Sequence, residues 1–165
     1  CAELVAAAYR SSFFAQGPAL ATVRAGNVIG GGDWATDRLI PDLIRAFEAG
    51  ASPLIRSPDS VRPWQHVLEA LGGYLKIAER LLNGEREFAD AWNFGPSDDD
   101  TRPVSWIVER MRAAWGGAPH PQADHGPRVH EAGLLRLDCS KARTALGWQP
   151  ALNLETTLDW IVAPF

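Results

Sequence analysis

The chain contains very little lysine. Of its 165 residues, sixteen are Lys or Arg, and only Lys76 and Lys141 are lysine. The formal net charge is −4 at pH 7, which disfavours sequence-independent binding to a phosphate backbone, because such binding relies on a basic face. We therefore expect no nucleic-acid partner. The bias toward arginine would suit the binding of a diphosphate, but genome composition explains it equally well.

Cysteine is also scarce, and nothing indicates a metal site. Cys1 and Cys139 lie far apart, outside any Cys-x-x-Cys or Cys/His cluster, which predicts reduced thiols in a cytoplasmic protein. His120, His125 and His130 are loosely spaced among Pro and Gly residues, with no Cys or carboxylate pattern around them. We assign no metal ligand.

Long apolar runs are missing as well. None approaches the ~20 residues that cross a bilayer, so we expect no membrane span. The opening residues lack the basic region and small-residue cleavage site of a signal peptide. The sequence starts at Cys1 rather than Met, and its first ten residues resemble the interior of a helix without an N-cap. This start predicts a fragment of a longer protein.

The segments that are present alternate between short apolar strands and amphipathic helices. Helices are predicted over residues 2–14, 38–49, 68–82, 104–115, 140–146 and 154–162. Strands are predicted over residues 19–25, 53–55, 64–67, 91–94 and 134–137. Residues 26–33 and 116–130 are expected to be loops. The alternation predicts an α/β fold with a partly parallel sheet, whose strong strands are too few to complete a doubly wound sheet.

Two local patterns qualify the helix predictions. On the third helix, Leu71, Leu75, Ala78 and Leu82 lie on one stripe, as in an amphipathic helix. Ser140 is expected to cap the fifth helix. These residues indicate where the helices begin and which side is apolar.

Residues 30–35, Gly-Gly-Gly-Asp-Trp-Ala, match the letters of a dinucleotide-binding fingerprint. We reject this interpretation because four residues separate the preceding strand from Gly30. Asp33 would also place a carboxylate where an anionic pyrophosphate should sit on a helix N-terminus. A substrate loop is the better interpretation.

Polar side chains near strand ends are the candidate ligand contacts. Arg62 stands just ahead of a predicted strand and would offer a forked cation to phosphate, or else stack on Trp64 as a surface residue. Asn27 and Asn93 would reach a ligand in the crevice of an open sheet, or merely satisfy loop backbone. His66 is expected to be packed and hydrogen-bonded rather than a base. The residues alone therefore predict a ligand-binding α/β chain.

Several longer motifs carry a resemblance along nearly the whole chain. They are residues 21–34 (ATVRAGNVIGGGDW), 39–43 (LIPDL), 62–67 (RPWQHV), 92–96 (WNFGP), and 137–142 (LDCSKA) with 146–148 (LGW). Together they resemble the CDP-glucose 4,6-dehydratases, a family of NAD-dependent nucleotide-sugar enzymes within the extended short-chain dehydrogenases/reductases. The Gly-Gly-Gly-Asp-Trp and Arg-Pro-Trp-Gln-His forms favour this family over related dehydratases and epimerases.

The resemblance implies the C-terminal part of a Rossmann-type extended fold. Residues 1–50 would be the tail of the Rossmann domain, and residues 51–165 would be mainly the smaller α/β substrate-binding domain. The Gly-rich NAD fingerprint and the Tyr-x-x-x-Lys motif of the family are not in this sequence. No catalytic residue is therefore assigned, and the chain by itself is expected to be inactive.

The reaction implied by the resemblance converts CDP-glucose into CDP-4-keto-6-deoxyglucose. NAD takes hydride from C4, water is eliminated across C5 and C6, and hydride returns to C6. The family further implies a homodimer that uses the helix at residues 2–14, and a role in dideoxyhexose and lipopolysaccharide O-antigen biosynthesis. The alternatives are a related nucleotide-sugar epimerase or dehydratase, or a non-catalytic ligand-binding module. A fragment would also expose an apolar patch that a partner or a second copy covers.

The resemblance assigns one group of residues to the diphosphate. Asn27 would lie beside the sugar diphosphate, and Arg38 and Leu39 would lie along the phosphates. Arg62 would place its forked guanidinium on the diphosphate. Arg128 matches a second phosphate-binding arginine of the family.

A second group is assigned to the nucleoside and the cofactor. Pro53 and Ile55 would flank the base, and Asn93 would meet the nucleoside. Ala25 would lie beside the nicotinamide of NAD. The resemblance thus implies a nucleotide-sugar site at the strand ends, with the NAD fingerprint outside this sequence.

Overall fold

The computed structural model describes residues 1–124 and 133–163. The helices are α1 (Ala2–Phe13), α2 (Leu39–Glu48), α3 (Val67–Leu82), α4 (Val104–Ala114), α5 (Ser140–Leu146) and α6 (Leu154–Val162). The strands are β1 (Thr22–Ala25), β2 (Asn27–Ile29), β3 (Leu54–Ile55), β4 (Val61–His66), β5 (Ala91–Phe94), β6 (Thr101–Pro103) and β7 (Gln122–Ala123). No helix among the described residues is both long and apolar enough to span a membrane.

The strands form three small sheets. β1 pairs with β5 in parallel, and β3 pairs with β7 in parallel. The third sheet has the order β2-β4-β6, in which β2 and β4 are parallel and β4 and β6 are antiparallel. The predicted α/β fold with a partly parallel sheet is confirmed.

Some strand predictions were wrong. Residues 27–29 were expected to belong to a loop, but they form β2 because β4 supplies parallel hydrogen-bonding partners. β6 and β7 were not predicted, and β7 lies inside the segment expected to be a long loop. The strand predicted over residues 134–137 is reduced to an isolated bridge between Leu134 and Val61.

The helices follow the predicted bounds closely, but one cap differs. The N-cap position of α5 is Cys139, and Ser140 is already the first helical residue. The Asp138 carboxylate accepts the N–H of Ser140 at 2.9 Å, so Ser140 is not the capping side chain. α6 is capped by Asn153, whose side chain accepts the N–H of Thr156 at 2.8 Å.

The apolar stripe of α3 faces outward. Leu71, Leu75 and Leu82 are 45%, 70% and 87% exposed. The helix instead buries the side that carries Ala70, Gly73 and Ile77. A Cβ at Gly73 would lie 2.3 Å from the Phe94 ring. Glycine is therefore required there, because any larger residue would push α3 away from β5.

α1 contacts the rest of the chain through polar side chains such as Arg10 and exposes its large apolar residues. It buries no residue, and Leu4, Tyr9 and Phe13 are each more than half exposed. Such apolar faces are uncommon on soluble proteins unless something covers them. α1 and α3 therefore both carry exposed large apolar side chains, and the patch expected of a fragment stays a prediction.

Two hydrophobic clusters form the core. In the larger cluster, α2, α4 and α6 bury residues such as Leu43, Ile107 and Leu158. In the smaller one, β5 contributes Trp92 and Phe94, which pack against residues of α3 and α5. The domain boundary predicted at residue 50 stays a prediction.

Candidate functional site

A cavity of about 1160 Å³ opens beside the parallel pair β2 and β4. Its wall includes β2, the loop over residues 30–38, the first turn of α2, β3 and part of β4. Ile29 at the end of β2 is the register partner of His66 at the end of β4. The two strands therefore end together, at the kind of edge where open α/β sheets bind ligands.

The cavity brings together most of the residues assigned to the nucleotide sugar. Asn27 and Arg62 lie on neighbouring strands, and the register partner of Asn27 is Trp64, two residues beyond Arg62. Because side chains alternate along a strand, Arg62 and Trp64 project from the same face. The predicted contact residues in the cavity wall are Asn27, Arg38, Leu39, Pro53, Ile55 and Arg62.

Arg62 is buried, with only 7% of its surface exposed. It lies inside β4 rather than ahead of the strand, which corrects the predicted position. Its Nη1 donates to the Val61 carbonyl at 2.9 Å, and Trp64 Nε1 donates to the Arg102 carbonyl at 3.0 Å. The surface alternative for Arg62 is therefore excluded, and a cation is fixed in the cavity wall.

The loop between β2 and α2 differs from a dinucleotide fingerprint. α2 begins only at Leu39, several residues beyond the glycines, whereas the fingerprint glycines open directly into a helix. Asp33 accepts the N–H of Ala35 at 3.0 Å and lies 3.7 Å from the Arg38 guanidinium. Arg38 occupies the N-cap position of α2, where unpaired backbone N–H groups and the helix dipole favour an anion.

Another part of the cavity wall is formed by β3 and the preceding Pro53. Pro53 and Ile55 are buried, whereas the side chain of Leu54 between them is exposed. The Pro53 carbonyl accepts the N–H of Gln122 at 2.9 Å, and the Ile55 carbonyl accepts the N–H of Asp124 at 3.0 Å. β7 therefore holds this apolar wall in place.

Two of the predicted contacts, Asn93 and Ala25, do not line the cavity. Asn93 on β5 donates its side-chain amide to the Asp138 carbonyl at 3.0 Å, and within the described residues its buried Oδ1 has no donor. Ala25 ends β1 just before Gly26, which does line the cavity. Arg128 lies outside the described residues. The roles assigned to these three residues stay predictions.

Gly26 makes the close approach of the chain to β4 possible. A Cβ at this position would lie 2.4 Å from the Pro63 carbonyl oxygen. Any side chain would therefore force β1 and β2 away from β4. This glycine keeps Asn27 close to Arg62.

His66 is packed and hydrogen-bonded, as predicted. Its Nδ1 accepts the N–H of Leu68 at 3.2 Å, and its ring meets the edge of Trp160 with centroids 5.8 Å apart. Burial lowers the pKa of His66, although the charge of Glu69 acts in the opposite direction. The neutral ring is thus favoured, and it caps α3.

The sequence interpretation missed several charged and polar residues of the cavity wall. Asp37 and Arg56 line it and lie 3.7 Å apart, and Ser60 and Asp124 also line it. Arg56 directly follows a predicted strand, which was the available signal. Among the described residues, no group of His, Cys, Asp or Glu side chains is placed to hold a metal ion.

The fold is that of nucleotide-sugar dehydratases and epimerases. One similar structure is a UDP-glucuronic acid 4-epimerase of Bacillus cereus, solved with UDP-glucuronic acid and NAD. The match covers 99% of this chain and 50% of the epimerase chain, with a TM-score of 0.81 and 17% sequence identity. Another is a dTDP-glucose 4,6-dehydratase of Bacillus anthracis, solved with NAD. The match covers 98% of this chain and 48% of the dehydratase chain, with a TM-score of 0.78 and 19% sequence identity. The predicted extended short-chain dehydrogenase/reductase fold is confirmed.

The sequence is similar to a more particular enzyme. It is 52% identical to a CDP-glucose 4,6-dehydratase of Salmonella typhimurium over 168 residues, which are 98% of this chain and 47% of that protein. The resemblance to CDP-glucose 4,6-dehydratases that the motifs indicated is confirmed. The chain spans about half the length of the curated relative, which fits the predicted C-terminal part. No family model matches the sequence.

Proposed function

We propose that the chain is the nucleotide-sugar-binding part of an NAD-dependent CDP-glucose 4,6-dehydratase. The observation that carries this proposal is the cavity beside β2 and β4, because it unites six of the residues that the family resemblance assigns to the substrate. The reaction would convert CDP-glucose to CDP-4-keto-6-deoxyglucose. This chain would contribute binding and orientation of the substrate.

The diphosphate would lie between the buried guanidinium of Arg62 and the N-terminus of α2. Arg62 offers a planar fork that matches two phosphate oxygens, and a buried cation gains more from such a partner than an exposed one. Arg38 would leave Asp33 and pair with phosphate, while the backbone of Leu39 adds the positive end of the helix dipole. Asn27 would donate its amide to the same group.

The base would lie at the β3 side of the cavity. Pro53 and Ile55 are buried in that wall, and their apolar surfaces would flank a planar ring. Asn93 would meet the nucleoside from β5, where its Oδ1 still lacks a donor within the described residues. Arg128 is proposed as a second phosphate contact.

NAD bound to the longer protein would supply the hydride acceptor, and Ala25 is the one residue of this chain that we propose beside its nicotinamide. This limited role fits the position of Ala25 at the end of β1, directly before the cavity-lining Gly26. The sequence contains no Tyr-x-x-x-Lys. The proton-transferring groups would therefore lie outside this sequence, and the chain alone would bind without turnover.

The second candidate is a related 4-epimerase, which the shared fold supports. The test is an assay of a longer protein containing this chain with CDP-, UDP- and dTDP-glucose. We expect the ultraviolet absorbance of the 4-keto product in alkali only with CDP-glucose. Formation of a C4 epimer, or turnover of another nucleotide sugar alone, would contradict the proposal.

A calorimetric titration with CDP tests the binding role without turnover. The chain should bind CDP more tightly than UDP or dTDP. Equal affinity for the three nucleotides would contradict CDP specificity. Absence of binding to all three would contradict a nucleotide-sugar site in this chain.

We also propose a homodimer that buries the exposed face of α1, where Leu4, Tyr9 and Phe13 lie. The protein would act in the cytoplasm, in dideoxyhexose and lipopolysaccharide O-antigen biosynthesis. Sedimentation equilibrium tests the assembly. Replacing Phe13 by Lys should shift the mass toward the monomer, and an unchanged mass would contradict this interface.

A further inference from the structure

Asp37 has an unusual backbone conformation at the mouth of the cavity. Its φ is +60°, and no other non-glycine residue in the described part of the chain has a positive φ. This left-handed region is strained for a residue with a Cβ, and only Gly, Asn and Asp visit it readily. Such outliers persist only where the surrounding structure holds them, and they are concentrated at functional sites.

The neighbouring contacts explain why the chain must turn at this position. Arg45 on α2 donates to the carbonyls of Trp34 at 3.1 Å and Ala35 at 3.2 Å. These two hydrogen bonds hold the loop that precedes α2 against α2 itself. The chain reverses between Ala35 and Arg38, and the left-handed Asp37 makes this reversal.

The side chain of Asp37 forms an ion pair. It lies 3.7 Å from the guanidinium of Arg56, the residue that follows β3. Both residues line the cavity. Glycine would make the turn at lower cost but would leave Arg56 without this carboxylate, so aspartate combines the two properties.

We infer that Asp37 is a positioning residue for the phosphate end of the cavity. Its left-handed turn sets the direction in which Arg38 and the first N–H groups of α2 enter the cavity, and its carboxylate holds the Arg56 guanidinium beside this turn. Asp37 itself contributes no ligand contact. This inference rests on the proposed nucleotide-sugar site, and it adds the residue that fixes the geometry of that site.

Three substitutions separate the conformation from the charge. Asp37→Asn keeps a side chain that tolerates positive φ but removes the charge, and Asp37→Gly keeps the conformation alone. Asp37→Val is of similar size and disfavours the conformation, because it is β-branched. The readouts are CDP affinity by calorimetry and hydrogen exchange of residues 33–43, with exchange in α6 as the control for folding.

We expect Asp37→Val to weaken CDP binding by about tenfold, which corresponds to the strain of such a residue. Its amide exchange should be faster within residues 33–43 and unchanged in α6. Asp37→Asn and Asp37→Gly should stay within about threefold of the original affinity, because an exposed ion pair contributes little. These results together would support the inference.

Several outcomes would overturn it. Equal affinities for the Val and Asn variants would remove the conformational role, and equal losses in all three variants would show that the carboxylate itself is the contact. Failure of the unsubstituted chain to bind CDP would contradict the proposed function instead. In that case the exchange data still decide, since equal exchange at residues 33–43 in the Val and Asn variants would refute the positioning role.

Discussion

The side-chain amide of Gln65 donates a hydrogen bond to the Phe94 carbonyl at 2.8 Å. Gln65 lies on β4, in the sheet beside the cavity, and Phe94 ends β5, in the sheet formed with β1. Gln65 is only 3% exposed. One buried hydrogen bond therefore connects the two sheets, and it fixes the strand that carries Arg62 relative to the strand that carries Asn93.

Replacing Gln65 by Met should lower the free energy of unfolding by about 1–3 kcal/mol. Methionine has a similar length but no donor, so the Phe94 carbonyl would lose this hydrogen bond. Urea unfolding measures the effect, with Gln16→Met as the matched control because Gln16 is exposed. A change no larger than that of the control would show that the connection between the sheets contributes nothing to stability.

Replacing Arg62 by Ala should weaken CDP binding by a few kcal/mol, because a buried, charge-assisted fork would be lost. Arg62→Lys should recover only part of the affinity, since an ammonium group cannot bind two oxygens in parallel. Calorimetry with CDP measures both variants. Arg136→Ala is the control because Arg136 is exposed and does not line the cavity. Unchanged affinity in Arg62→Ala would contradict a phosphate contact.

The stability of the chain should depend on the protonation of His66. Burial lowers the pKa of His66 in the folded state, so the folded chain binds this proton less readily than the unfolded chain. The contribution is complete above the unfolded pKa of about 6.5, and it is lost as the pH falls from there through the folded pKa. Protonation of Nδ1 would also break the cap on Leu68.

His66→Asn provides the comparison for this pH dependence. Asparagine is a good N-cap residue that does not titrate, so the variant should show a smaller loss of unfolding free energy below pH 6.5. Urea unfolding between pH 8 and pH 5 measures the two slopes. Parallel slopes would mean that His66 does not control this pH dependence.

The two cysteines should differ in reactivity. Cys1 is exposed and Cys139 is buried, and burial raises the pKa of the Cys139 thiol. The reactive thiolate is therefore scarce at Cys139 near neutral pH. Titration with a thiol reagent at pH 7.5 should modify one thiol in the native chain and both in urea. Rapid modification of both thiols in the native chain would contradict the burial of Cys139.

The helices were predicted well because their signals are local. α2 and α4 start within one residue of their predicted positions and end within one residue of them, since a helix closes its hydrogen bonds within its own segment. Strands β2, β6 and β7 have two or three residues each. Such short segments have no detectable periodicity, and they become strands only where β4 and β3 supply partners.

The direction in which α3 packs could not be predicted from hydrophobicity. Leu75 and Leu82 point outward, whereas Ile77 is buried. The buried side approaches Phe94 so closely that only a glycine fits at position 73. Contact with β5, together with Ile77, therefore selects a different side of the helix from the predicted stripe.

The sequence by itself determined the helices, the family resemblance and the polar residues near strand ends, because each depends on neighbouring residues or on motifs of a few positions. Only the tertiary structure placed Asn27, Arg38 and Arg62 around one cavity and turned the chain at Asp37. The register between β2 and β4, and the strain that a packed loop can sustain, arise from contacts between segments far apart in the chain. No local pattern specifies such contacts.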